Sequence, residues 1–174
     1  MGTVFLASFE TSYGTMQLAS TGQGLAFVQL PRAQGRGLTG WLRRFAPDAE
    51  VRQGYEPNRA AIAQITEFLD GKREAFDLAL DLRATDFQRA VYQALDAIPY
   101  GETRTYTDIA REIGQPKAVR AVGTANGANP LSLVIPCHRV VAAGGKLGGY
   151  GGGLPMKEKL LAMEHRRPAQ GALL

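Results

Sequence analysis

The first 30 residues alternate short apolar runs with turn-forming residues, a pattern typical of consecutive β-strands. The pattern predicts strands over residues 4–9, 15–19 and 25–30, separated by glycine-containing turns. Residues 21–24 predict a hairpin between the second and third strands.

Apolar residues then recur at helical spacing. A short helix is predicted over 38–45, and a second over 57–69, which begins on a proline and is followed by Gly71. Residues 76–82 alternate apolar and acidic positions, which predicts a half-exposed strand. Together these elements predict a small α/β domain over residues 1–83.

From residue 84 onward helices dominate. A capping-box pattern at residues 85–88 opens a helix over 86–98, and residues 105–108 are a plausible start for a second helix over 105–113. Further helices are predicted over 116–127 and 155–165, and the domain spans 84–174. The predicted fold class is therefore α+β: a small N-terminal α/β domain followed by a mainly α-helical C-terminal domain.

Helices 105–113 and 116–127, joined at Gly114, have the spacing of a helix-turn-helix. Lys117 and Arg120 lie near the N-terminal end of the second helix, where basic side chains and backbone N–H groups can meet phosphates. Two helices around a glycine are also an ordinary packing unit, so the pattern alone leaves both interpretations open.

The 174 residues carry a net charge of +4 that is unevenly distributed. Residues 1–82 hold 8 basic and 9 acidic side chains, whereas 83–174 hold 12 and 7. This favours an anionic partner for the second half, most often nucleic acid, and gives no reason to expect DNA contacts in the first. Neither a signal peptide nor a membrane span is recognisable, so we expect a cytoplasmic protein.

Cys137 is the only cysteine, so it is either a small buried hydrophobe or a reactive thiol. It follows an apolar run, 131–135, that predicts a buried extended segment. A thiol with a pKa near 8.5 is only roughly 3% ionised at neutral pH, so a nucleophilic cysteine needs a base. His138 could supply one if a carboxylate such as Glu164 oriented it.

Residues 136–140 (PCHRV) resemble the active-site signature of the O6-alkylguanine-DNA alkyltransferases, the methylated-DNA–protein-cysteine methyltransferase family. Other motifs of that family flank it in the same order, and the resemblance covers about residues 86–165. They are Tyr106, 116–123 (PKAVRAVG), 125–127 (ANG), 129–130 (NP), 149–154 (GYGGGL), Lys157 and 160–161 (LL).

The resemblance implies DNA repair by direct reversal. The alkyl group of O6-alkylguanine, and of O4-alkylthymine, would pass to Cys137 and inactivate the protein, so the enzyme acts once. No cofactor is implied. The partner would be double-stranded DNA, bound in the minor groove by a monomer, with cooperative binding left open, and with the damaged base flipped out. A ribonuclease-H-like N-terminal domain is also implied.

The resemblance also implies residue roles. Cys137 would be the acceptor, activated through water by His138, which Glu164 orients. Tyr106 would help to push the phosphate and sugar, and protonation of the base by Tyr106 or hydrogen bonds to O6 would stabilise the leaving group. Asn129 would tie the turn before the cysteine segment, and Arg139 is expected to be structural. Arg120 would fill the gap left by the flipped base. The DNA-binding set is Tyr106, Lys117, Arg120, Ala121, Thr124, Asn126 and Gly127. The pocket set is Val140, Tyr150, Gly151 and Lys157.

Two departures from the family pattern affect these expectations. Some members hold zinc in the N-terminal domain, but one cysteine and two histidines cannot supply that set, so no metal is expected. Gly151 stands where serine or alanine is common, which leaves open whether bulky alkyl groups are tolerated more widely. The glycine run around it matches neither nucleotide-binding loop motif.

Three other functions remain to be weighed. A non-catalytic alkyltransferase-like protein would bind lesions without a cysteine, which Cys137 argues against. A helix-turn-helix regulator would bind undamaged DNA specifically as a dimer. A thiol hydrolase would turn over a small ester and regenerate Cys137.

Overall fold

The computed structural model describes residues 2–33 and 35–172, with side chains described as far as residue 165. The chain forms two compact units: residues 1–83 with 130–134, and residues 84–129 with 135–174. The segment 130–134 belongs to the first unit because it pairs there: the Val28 N–H donates to the Pro130 carbonyl at 2.8 Å. The chain thus passes through the first unit again just before it reaches Cys137.

The first unit is built on a four-stranded sheet with the order β3-β2-β1-β4. Its strands are β1 (Thr3–Thr11), β2 (Gly14–Thr21), β3 (Gly24–Gln29) and β4 (Glu50–Gln53). The first three are antiparallel, which confirms the three predicted strands, whereas β4 runs parallel to β1 at the sheet edge. β4 was not predicted, because all four of its residues are exposed and no apolar alternation marks it.

Two helices accompany this sheet. α1 (Gly37–Phe45) confirms the predicted short helix, and α2 (Arg59–Leu69) follows a 3-10 turn, Glu56–Asn58, where the sequence predicted the first helical residues. One face of α1 joins the core through Leu38 and Trp41. The buried cluster consists of Val4, Leu6, Ala19, Ala26, Leu38, Trp41 and Ala46.

The prediction of a strand over residues 76–82 is wrong. Only Leu80 makes an isolated bridge, to Leu25, whose N–H and carbonyl bond the backbone of Ala79 and Asp81. The carboxylate of the buried Asp81 bonds the Thr21 hydroxyl at 2.7 Å and the Arg83 guanidinium at 3.0 Å. The alternation of apolar and acidic residues therefore marks neither a continuous ladder nor an apolar buried face, because Leu80 is exposed and Asp81 is buried.

The second unit is mainly helical and contains α3 (Asp86–Asp96), α4 (Tyr106–Glu112), α5 (Val119–Gly127) and α6 (Leu154–Ala172). The predicted capping box at Thr85 is confirmed, and the predicted helix start at Thr105 forms a second one. Each threonine accepts a hydrogen bond from the third residue of its helix. Its apolar core includes Val91, Leu95, Ile109, Val122 and Leu160. The mixed α and β composition of the whole chain is confirmed; among the described elements there are six α-helices.

Three boundaries in the second unit differ from the predictions. Gly114 reverses the chain after α4 with φ +76°, as expected, but α5 begins at Val119 and not at Pro116. Residues 115–118 form a turn closed by the Ala118 N–H and the Gln115 carbonyl, so Lys117 precedes the helix. Proline suits a turn as well as a first helical position, which is why the sequence misplaced the start. α6 also extends beyond the predicted end at residue 165.

The segment before Cys137 is buried as predicted, but it is not straight. Leu133 has φ +75° and the chain turns there, so two short pieces replace the predicted extended run. Cys137–Arg139 is a 3-10 turn, and Val140–Val141 (β6) then pairs in parallel with Arg104–Thr105 (β5). In the described chain no helix combines the length and the apolar character needed to cross a bilayer.

Removing the α3 cap should destabilise the protein measurably. Thr85→Ala leaves the Gln88 N–H without its acceptor, and we expect a loss of about 1 kcal/mol in the free energy of unfolding, measured by urea titration. Thr85→Ser keeps the hydroxyl and should retain most of that stability. Equal stability of Thr85→Ala and the wild type would contradict this role of the cap.

Candidate active site

Cys137 lies in a buried turn that two asparagine side chains hold in place. The Asn129 amide donates to the Ile135 carbonyl at 2.8 Å, and the Asn126 amide donates to the Cys137 carbonyl at 3.4 Å. Asn126 ends the buried face of α5, and Asn129 follows two residues after that helix ends. The end of α5 therefore fixes the backbone on which the thiol is carried, and Cys137 itself is 4% exposed.

Cys137–Arg139 is a 3-10 turn and not an extended segment, so the side chains of neighbouring residues need not point to opposite sides. His138 and Arg139 both reach Glu164 on α6. His138 Nε2 lies 2.6 Å from Glu164 Oε2, and Arg139 Nε donates to Oε1 at 2.8 Å. The sequence had predicted an extended segment here, in which neighbouring side chains point to opposite sides.

The Glu164 carboxylate is 1% exposed and is surrounded by donors. Besides His138 and Arg139 Nε, it accepts from Arg139 Nη2 at 3.2 Å and from the Gly101 N–H at 3.3 Å. Arg139 Nη1 in turn donates to the Ile98 carbonyl at 2.8 Å. Arg139 is thus an anchor for the carboxylate, which agrees with the structural role expected for it.

The electrostatics assign the proton between His138 and Glu164. Burial alone would raise the pKa of Glu164, but the hydrogen bonds and charges of His138 and Arg139 outweigh it and lower that pKa to about 2. Burial lowers the pKa of His138, although Glu164 opposes the shift. An ionised Glu164 beside a neutral His138 requires the proton on Nε2, so Nδ1 is the basic nitrogen.

Lys157 is fully buried and holds the segment that follows Cys137. Its ammonium donates to the Val140 carbonyl at 2.6 Å, the Gly149 carbonyl at 3.0 Å and the Leu147 carbonyl. Burial lowers the pKa of Lys157 to about 8, while the charge of Cys137 acts in the opposite direction. The ammonium fastens the loop to α6, so its donors are committed to backbone and not aimed into an open pocket.

Tyr106, the first residue of α4, packs against the same loop. Its hydroxyl accepts from the Gly149 N–H, and burial raises the pKa of the phenol, so it stays protonated and can donate. Gly148 has φ +74°, and a Cβ there would lie 2.7 Å from the Tyr106 hydroxyl oxygen. A Cβ at Gly151 would meet nothing within 4 Å, so this contact requires glycine at 148 and not at 151.

Most of the predicted DNA-binding side chains are exposed together along α5 and the turn before it. They are Lys117, Arg120, Ala121, Thr124 and Gly127. Asn126 differs, because it is 5% exposed and its amide is bonded to the Cys137 carbonyl. We therefore group Asn126 with Asn129 as a residue that positions the cysteine turn. Of the predicted pocket residues, Tyr150 is half-buried, and Val140 is buried next to the cysteine turn.

Comparison with known proteins decides the family. Over 161 residues the chain is 43% identical to a methylated-DNA–protein-cysteine methyltransferase of Methanosarcina acetivorans, covering 92% of this chain and 98% of the relative. This chain belongs to the methylated-DNA–protein-cysteine methyltransferase family. A relative of the same description from Mycolicibacterium paratuberculosis is 52% identical over 127 residues, 67% of this chain and 77% of the relative.

The family model for the 6-O-methylguanine DNA methyltransferase DNA-binding domain matches residues 86–166. Among solved structures, Mycobacterium tuberculosis OGT in complex with DNA superposes with a TM-score of 0.81 at 40% identity, covering 94% of each chain. The methyltransferase family resemblance inferred from the sequence is thus confirmed.

Several residues that complete this methyltransferase site were not predicted. Tyr92 on α3 donates its hydroxyl to the Ala125 carbonyl at 2.8 Å, and burial raises its pKa, with the Cys137 charge adding to the shift. Gly101 donates its backbone N–H to Glu164, and Gly148 allows the loop to approach the Tyr106 hydroxyl closely. A glycine two residues after Pro99 was the only sequence feature that could have drawn attention to Gly101. Within the described residues, no group of three or more His, Cys, Asp or Glu could hold a metal.

The ionised Glu164 carboxylate should make the free energy of unfolding decrease as the pH falls. Its pKa lies below the usual value near 4.3, so ionisation stabilises the fold at neutral pH, by up to about 3 kcal/mol, and this is lost as pH falls toward 2. Glu164→Gln should therefore be less stable than wild type at pH 7, and the two should converge in acid. Urea titrations from pH 7 to pH 2.5 measure this, and a constant difference would contradict it.

Proposed function

We propose that this chain repairs DNA by transferring the alkyl group of O6-alkylguanine to the Cys137 sulfur, and that each molecule acts once. This chain, a member of the methylated-DNA–protein-cysteine methyltransferase family, carries its single cysteine next to a buried His138–Glu164 pair. That observation carries the proposal. O4-alkylthymine is a second substrate of the same chemistry, because its alkyl carbon is also bonded to an exocyclic oxygen.

The reaction is a displacement at the alkyl carbon. The Cys137 sulfur forms a bond to that carbon while the bond from carbon to the base O6 breaks, and the bonding electrons remain on O6. Tyr106 donates a hydrogen bond to the leaving base, and one well-placed donor to a developing anion contributes about 3 kcal/mol. The product is a stable thioether, and no step restores the thiol.

His138 takes the thiol proton through a water molecule. Neutral His138 carries its proton on Nε2, so Nδ1 is uncharged and basic. When Nδ1 gains the proton, the ionised Glu164 at 2.6 Å from Nε2 stabilises the imidazolium. Arg139 and the Gly101 N–H keep the carboxylate in that position. Glu164 and Arg139 are positioning residues in this scheme, and Lys157 positions the loop.

DNA binds to the exposed face of α5, with α4 and α5 acting as a helix-turn-helix. Small residues on that face, Ala121 and Gly127, let a nucleic-acid backbone approach closely, and Lys117 and Arg120 supply positive charge. A base must leave the stack before its O6 can reach a buried sulfur, so we propose minor-groove binding with base flipping, Arg120 filling the gap. The protein binds as a monomer, in the cytoplasmic compartment that holds the DNA.

The first unit serves as a ribonuclease-H-like scaffold in this proposal. The order β3-β2-β1-β4, three antiparallel strands with a parallel strand beside the first, supports that description. A lesion-binding protein without transfer activity is not favoured, because such proteins lack the cysteine that this chain carries.

Intact-protein mass spectrometry tests the transfer directly. After mixing with a duplex containing O6-methylguanine, the wild type should gain the mass of one methyl group per molecule and no more on longer incubation. Cys137→Ser should gain nothing while retaining affinity for the duplex. Wild-type protein that stays unmodified while the lesion persists would sink the proposal.

Arg120 should matter for extracting the base and not for the chemistry. Arg120→Ala should slow methyl transfer from duplex DNA at least about tenfold, since unstacking a base costs a few kcal/mol, yet leave transfer from free O6-methylguanine unchanged. Arg111→Ala is a control, because Arg111 is also an exposed arginine of the same pair of helices. Equal slowing of both substrates by Arg120→Ala would contradict this role.

A further inference from the structure

The first unit contains a concentrated positive surface that its overall charge conceals. Between residues 11 and 47 the only charged side chains are four arginines, and no Asp or Glu occurs. Arg32, Arg36, Arg43 and Arg44 are all exposed, and we call them the arginine surface. Within the described residues, none of the four takes part in an ion pair.

Three of these arginines lie on one side of α1. Arg36 immediately precedes the helix, and Arg43 follows it by seven positions, which is two helical turns on the same side. The opposite side is apolar and faces the core through Leu38 and Trp41. The arginines are thus held on a helix whose other face is fixed by packing.

Gly40 shows how the Arg36 side chain lies. A Cβ at Gly40 would lie 2.5 Å from Arg36 Cβ and 3.6 Å from its Cγ and Cδ. The Arg36 side chain therefore passes over Gly40, one helical turn before Arg43 and Arg44. The absence of a side chain at Gly40 makes room for it.

Two local choices on this helix oppose helix stability. A cation at the N-terminal end meets the positive pole of the helix dipole, and Arg36 has no acidic residue near it in the first turn. Glycine in a helix interior is the least favourable residue after proline. Arg43 and Arg44 suit the C-terminal pole, and Gly40 accommodates Arg36, but helix stability does not account for Arg36 itself. A bound polyanion would offset the unfavourable position of its charge.

We propose that the arginine surface is a second DNA-binding surface, which contacts the phosphate backbone without reading the base or the lesion. Guanidinium groups bind phosphates in pairs of hydrogen bonds, and the exposure of these arginines, outside any ion pair, leaves those donors available. The inference rests on the proposed function only in taking DNA as the partner. Neither the transfer to Cys137 nor the α5 interface requires it.

The salt dependence of binding to undamaged duplex DNA tests this proposal. The slope of log affinity against log salt is negative, and each phosphate that the protein neutralises adds about 0.9 to its magnitude. The triple variant Arg36→Gln, Arg43→Gln, Arg44→Gln should therefore reduce that magnitude by about 2.7. Its affinity should then fall roughly 40-fold less than that of the wild type between 50 and 200 mM salt. Methyl transfer to Cys137 at saturating DNA should be unchanged.

A matched variant separates a local surface from general attraction. The triple variant Arg52→Gln, Arg59→Gln, Lys72→Gln also removes three positive charges, from other exposed positions of the same unit. It should change the slope by less than half as much, whereas an equal change would overturn the proposal. The triple Arg-to-Lys variant at 36, 43 and 44 keeps the charge and should keep the wild-type slope; a lower slope there would also overturn it.

The outcomes distinguish the two proposals. An arginine-dependent slope in a wild-type protein that never gains a methyl group would contradict the proposed repair function and leave the arginine surface standing. Normal methylation with a slope that the Gln triple does not change would do the reverse. Melting temperatures within a few degrees of wild type confirm that each triple variant is folded.

Discussion

The buried Glu164 carboxylate is the charge around which the second unit is arranged. An ion without water costs several kcal/mol unless it is paired and fully hydrogen-bonded, and here two side chains and one backbone N–H satisfy it. Those partners come from the cysteine turn and from the loop after α3, so one group ties α6 to both. The same group fixes which nitrogen of His138 carries the proton, so folding and chemistry depend on one interaction.

Features of the sequence that act locally were predictable. The helix starts at Thr85 and Thr105 each depend on four consecutive residues, and the PCHRV motif identified the family because its flanking motifs follow in order. The contacts that complete the active site are not local. Arg139 and Glu164 are 25 residues apart, and the approach of Gly148 to Tyr106 depends on a loop folding back. Neither leaves a periodicity that can be read along the chain.

The apolar run at 131–135 was informative about burial but not about conformation, because the chain turns at Leu133. The alternation at residues 76–82 was informative about neither, because the segment is not a strand, Leu80 is exposed and Asp81 is buried. The net charge of the first half was also a poor guide, because it averages over stretches of opposite charge. The near-neutral first half combines a stretch with four arginines and no acids with acidic flanks, so the total concealed where the charge lies.

The order of synthesis adds a consequence to the position of α6. Glu164 follows His138 by 26 residues, and Lys157 follows Val140 by 17. A ribosome therefore completes the thiol and its neighbouring histidine before it makes the carboxylate that orients the imidazole and the ammonium that fastens the loop. The two side chains that hold His138 and the loop after Cys137 are therefore added to the chain later than the turn that they hold.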